Sequence, residues 1–179
     1  MEAKNYPDFL PHRVLLKTWV NKGMLFALGR ALQSLSNSDP LVQAEVSHWP
    51  PNFKLVLAIP PKGGHMSVQS VGAGRLRYLG GRIKPEEADV AILVKSVHSG
   101  FKMLTGQLGP DSAYAQHAMS AKGDLSYTVS VVRVLDIVEA YLFPAFMAKK
   151  LMKSLPPIPS WRKHLLRLKA YTLGILFGI

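Results

Sequence analysis

"LTGQLGPDSAYAQHAMSAKGDLSYTV", Leu104 to Val129, is the stretch whose reading decides the fold. It joins a glycine–proline break at Gly109 and Pro110 to a run of small residues and a "KGD" turn. It holds no cysteine, no paired carboxylates and no serine beside a base, so it reads as scaffold. Its far end admits two readings. "SYTVSVV" (126–132) alternates Tyr127, Val129 and Val131 at the period of a strand rich in β-branched residues. The same region opens a helical stripe of Leu125, Val129, Val132, Leu135, Val138 and Leu142.

Upstream, the pattern is clearer. Leu15, Trp19, Met24, Phe26, Leu28 and Leu32 recur at near-helical spacing and predict a helix over about 14–35. "SNSDP" stops that helix and starts a short one to about Ser47, with Asp39 as N-cap and Pro40 in the first helical position. "HWPPN" then forces extended chain. "FKLVLAI" places Phe53, Leu55, Leu57 and Ile59 on one face of a first strand. "MSVQSVG" pairs back across the "PPKGGH" turn, and "RLRYLGG" forms a third strand with Arg75 and Arg77 on a wet face. "GAGRLRYLGG" is no dinucleotide loop, because Arg77 stands where the third glycine belongs and no helix follows. Residues 89–95 supply a fourth strand with Val90, Ile92 and Val94 facing one way. Val97, Phe101, Leu104 and Leu108 then trace a helix that Gly109 should stop. "DSAYAQ" reads as a short helix capped by Asp111.

Composition narrows the function classes. Of 179 residues, 48% are hydrophobic and only 18% charged, which is oilier than a typical soluble domain. Without cysteine there is no disulfide, thiolate metal site or cysteine nucleophile. The six histidines show no HxxH or HxxxH spacing, so no metal site is expected. The net charge of +11 is concentrated at one end. Residues 140–179 hold Lys149, Lys150, Lys153, Arg162, Lys163, Arg167 and Lys169 and no acid, interleaved with Leu, Ile, Phe and Trp. That mixture suits an anionic membrane surface better than a nucleic acid, so no nucleic-acid partner is expected. No secretory signal is read at the start, and the uncharged run 170–179 is too short to span a bilayer. A cytoplasmic protein with peripheral membrane contact is the expectation.

The opening stretch, read with "ADVAILV" before it, is similar to the sterol-carrier-protein type 2 lipid-transfer family. Thr105, Gly106, Leu108, Pro110, Ala113, Tyr114, Gly123 and Asp124 match that family's pattern without a gap, and the likeness covers about Phe53 to Leu142. His117 departs from it, standing where the family usually has glycine. The resemblance implies an α+β fold: a curved five-stranded, mostly antiparallel sheet covered by helices, with a hydrophobic cavity between the layers. It also resolves the conflict at 126–132 in favour of a helix from Asp124 to about Phe143, and makes "AMSAK" the fifth strand with Met119 and Ala121 facing in. Arg133, Asp136 and Glu139 would mark that helix's wet side.

Three segments are expected: a helical extension over 1–50, the lipid-binding domain over 51–155, and a basic apolar tail over 156–179. The resemblance implies non-catalytic binding and intermembrane transfer of a fatty acyl, sterol or isoprenoid lipid. No catalytic residue, metal or cofactor is expected. The candidate lining is Leu55, Leu57, Ile92, Phe101, Leu104, Leu108, Tyr114, Met119, Val129, Val132, Leu135, Val138 and Leu142. Two alternatives use the same cavity. One is an accessory protein presenting a lipid or quinone intermediate to a partner enzyme, and the other is an enzyme acting on acyl thioesters.

Overall fold

The computed structural model describes residues 12–142, with side chains from Val14 onward. The basic tail and Phe143 lie outside the described residues. Five strands follow the expected order: β1 (Lys54–Ala58), β2 (His65–Gly72), β3 (Arg75–Gly80), β4 (Val90–Val94) and β5 (Met119–Gly123). They form one open sheet in the order β3-β2-β1-β4-β5. All neighbours are antiparallel except β1 and β4, which run parallel with Leu57 opposite Ile92. The β2–β3 hairpin turns through three consecutive left-handed residues, Gly72, Ala73 and Gly74. Period two then sorts the side chains. Leu55, Leu57, Val90, Ile92 and Val94 enter the main core, while Val56, Ala58 and Leu93 meet Ile83 in a small cluster on the other face.

Helices cover the main face: α1 (His12–Ser38), α2 (Pro40–Val46), α3 (Val97–Leu104), α4 (Pro110–Ala115) and α5 (Leu125–Leu142). The α1–α2 junction follows the expected chemistry. Asp39 Oδ1 accepts from the Leu41 amide at 2.8 Å, and Pro40 sits in the first turn. The apolar residues whose spacing predicted α1 divide between its inner and outer faces. Leu25, Leu28, Ala31, Leu32 and Leu35 are buried, whereas Leu15, Phe26 and Trp19 (74% exposed) point outward. The two stripes interleave on the helix, so the apolar spacing alone did not choose between them.

Three local expectations around the opening stretch need correction. First, α3 stops at Leu104, because Gly106 takes the left-handed turn (φ 74°) four residues before the break at Pro110. Second, the N-cap of α4 is Gly109; Asp111 lies inside the first turn. Third, Ala121 is exposed on β5, and only Met119 of that strand is buried. The helical reading of 126–132 holds. Asp124 Oδ1 accepts from the amides of Ser126 (2.8 Å) and Tyr127 (3.3 Å), supplying partners that α5's first turn lacks. His117 carries a left-handed φ of 54°, so the turn before β5 is made by histidine in a conformation that glycine adopts more readily.

Side chains lock the layers. Gln33 Oε1 and Ser36 Oγ on α1 accept from the amides of Tyr78 and Leu76, at 2.8 and 3.0 Å. They occupy donors that edge strand β3 would otherwise offer to another chain. At its first half, α5 is held by an aromatic row, Trp49–Phe53–Tyr127, with ring centroids 4.9 and 5.2 Å apart. Trp49 Nε1 also donates to Ser130 Oγ at 2.9 Å. Near the other end of α5, the Tyr141 hydroxyl donates to Asp39 Oδ2, so the α2 cap also anchors α5.

Candidate functional site: an apolar cavity with an acidic end

α3 packs mainly on α1, and α5 mainly on α2 and α1. Between α3 and α5 the backbones do not approach closely, and a cavity of about 40 Å³ lies there against the sheet. Leu57 and Ile59 contribute from β1 and its end, Ile92 and Val94 from β4, and Met119 from β5. Leu28 of α1 and Pro110 of α4 close the sides. Gly100, Met103 and Leu104 line it from α3; Val132, Leu135, Asp136 and Glu139 line it from α5. Gly100 lets α3 lie close against the end of β1, since a Cβ there would stand 2.6 Å from Ile59 Cδ1.

Six of the thirteen residues expected at the lining are brought together here: Leu57, Ile92, Leu104, Met119, Val132 and Leu135. Leu55 and Val138 are buried in the packed core away from the cavity, and Leu108 and Leu142 are half-buried against it. Phe101 lies on the outer part of α3, with Lys17 Nζ 5.7 Å from its ring centre. Tyr114 is 63% exposed and Val129 43% exposed, so neither lines the cavity. Val129 belongs to the first half of α5, where Leu125 is also exposed.

Several lining residues escaped the sequence reading. Ile59 and Val94 follow from the same alternation that selected Leu57 and Ile92. The acids are more instructive. Asp136 and Glu139 were read as the wet side of α5, but they face the cavity, while Arg133 does stay outside and pairs with Glu45 at 3.7 Å. Val132, Leu135, Asp136 and Glu139 stand at i, i+3, i+4 and i+7, a continuous helical stripe that was visible in the sequence.

Burial disfavours the charged form of both acids. It pushes the Glu139 carboxyl up to about 8, with the neighbouring Asp136 adding to the rise. It also raises Asp136, and Asp111 at the start of α4 contributes to that shift. Among the described residues no histidine–carboxylate cluster could hold a metal ion.

No protein-family model matches the chain, and no curated protein sequence does. The chain is similar in fold to solved sterol carrier domains. One is the UbiJ-SCP2 ubiquinone synthesis protein, 12% identical, with 69% of this chain and 98% of that chain covered and a TM-score of 0.42. A second is the sterol carrier protein domain 2 of Helicoverpa armigera, 15% identical, covering 78% and 93%, with a TM-score of 0.43. A third is sterol carrier protein 2 like 2 of Aedes aegypti, 17% identical, covering 56% and 95%, with a TM-score of 0.32.

Proposed function

We propose that the protein binds the hydrophobic chain of a lipid, without catalysis, in the cavity between the sheet and helices α3 to α5. One observation carries this reading: apolar side chains from all three of β1, β4 and β5 meet those of α3 and α5 around a space that packing leaves unfilled. Interiors are ordinarily packed to the density of organic crystals, so an unfilled apolar pocket is a standing site for an apolar guest. At about 40 Å³ the space holds on the order of three water-sized groups, so a long chain enters by parting α3 and α4 from α5. The loose approach of α3 to α5 makes that the place to yield.

The energetics suit a carrier. Each buried methylene gains about 0.8 kcal/mol over water, and a bilayer offers nearly the same, so exchange between membrane and protein is close to neutral. The chain is spared passage through water. We extend the proposal to transfer between membranes, with the basic tail, outside the described residues, as the element that meets anionic headgroups. Among the described residues no helix is long and apolar enough to cross a membrane.

Native mass spectrometry of freshly purified full-length protein, followed by organic extraction, tests the reading. A lipid mass that travels with the folded protein is expected. Protein that is ligand-free and fails to take up a fluorescent fatty alcohol or acid contradicts it.

A further inference from the structure

Asp136 and Glu139 are one turn apart on α5 and both line the cavity. Every other group there is apolar or glycine: α1, the three strands and α3 bring no charge to it, and α4 brings Pro110. Asp111, again an acid, is a further charge that acts on Asp136. Among the described residues neither carboxyl has a Lys, Arg or His within ion-pair distance. Among the described residues the acidic end therefore has no counter-charge. A helix that needed only a packed face would carry alanine or leucine at these two positions.

We propose that the cavity selects lipids whose head is uncharged and offers a hydroxyl or carbonyl oxygen, in preference to lipids ending in a carboxylate, with Glu139 as the group that meets the head. This rests on the lipid-binding reading above and names the ligand class for the same site. A carboxylate head would bring a negative charge into a low-dielectric space beside Asp136 and Glu139, where no cation among the described residues pairs with it. A protonated carboxyl, by contrast, has one O–H to donate and meets an acceptor oxygen without leaving a buried charge. Burial keeps Glu139 mostly protonated at neutral pH, since its carboxyl titrates near 8. Raising the pH through that value removes the donor and introduces a charge, so affinity for a neutral head falls as pH rises.

Competition at fixed chain length tests this with full-length protein. Dodecanol, laurate and dodecylamine are titrated against a bound fluorescent lipid probe at pH 6.5 and pH 9. Dodecanol should compete at least tenfold better than laurate at pH 6.5, and weaken by up to about tenfold at pH 9 as Glu139 loses its proton. In Glu139→Gln the amide donates at both pH values, so the pH dependence of dodecanol competition should vanish; the melting temperature confirms that the variant is folded. Laurate competing as well as dodecanol overturns the inference and leaves lipid binding intact. So does dodecylamine competing best and strengthening at pH 9, which would make the site cation-selective. An undiminished pH dependence in Glu139→Gln overturns the role of that residue. If the full-length protein takes up neither the probe nor any of the three amphiphiles, lipid binding itself is wrong.

Discussion

At the scale of the residue, three positions carry most of the consequence. Asp124 partners two amides of α5's first turn. Asp124→Ala should lower stability by roughly 0.5–2 kcal/mol in urea unfolding, the usual loss for an N-cap. Gly123 precedes it at φ 131°, and a Cβ there would strike the Asp89 carbonyl and crowd Val90. Gly123→Ala combines backbone strain with that clash and should cost about 1–3 kcal/mol, loosening the β4–β5 edge first. Hydrogen exchange at the β5 amides should report it. Glu139 acts in the opposite direction. Its carboxyl is raised from 4.5 to about 8, so the folded protein holds a proton that the unfolded chain releases between those values. Stability from this group is therefore fully present below about 4.5 and is lost as pH rises through 8. Glu139→Gln should flatten the stability profile across that window and raise stability at pH 7 by up to about 3 kcal/mol. Paired melts of the two proteins from pH 5 to pH 9 check both statements.

At the scale of the element, the cavity depends on α5 presenting one stripe to the sheet and another to α2. Val132 is the smaller of the two apolar wall residues on that helix. Val132→Trp should push an indole into the space and displace about two methylenes of a bound chain, roughly a tenfold loss of affinity for a fluorescent lipid. Its melting temperature should stay close to that of the parent. Unchanged uptake in the folded variant would move the cavity elsewhere.

This is also the scale at which the sequence was most legible. Among the described residues, β1 to β4 and α1 to α4 were readable from alternation, glycine and proline breaks and the Asp39 cap, which act locally, whereas β5 and α5 were settled by the family resemblance against a competing strand reading. Helix faces were harder. Trp19 and Phe26 share α1 with the buried Leu25 and Leu32, and only the position of the sheet decides which set is inside. Tyr114 and Val129 failed for the same reason: periodicity says which residues share a face, not where the neighbouring layer ends. Asp136 and Glu139 were assigned to water on their charge, against the helical stripe that joins them to Val132 and Leu135. A buried carboxyl avoids the cost of burying charge by staying protonated, and composition carries no sign of that.

At the scale of the whole molecule, the sheet separates two apolar regions of different character. On one face Leu57, Ile92, Leu104 and Leu135 surround unfilled space; on the other, Val56, Leu93 and Ile83 close on one another. The central claim is that a lipid chain enters the first region and not the second. Isotope-filtered methyl NMR with an unlabelled sixteen-carbon chain tests that claim most directly. The account predicts intermolecular NOEs from the chain to the methyls of Leu57, Ile92, Leu104 and Leu135 and none to those of Val56, Leu93 and Ile83. NOEs confined to Val56, Leu93 and Ile83, or none at either set, would contradict it.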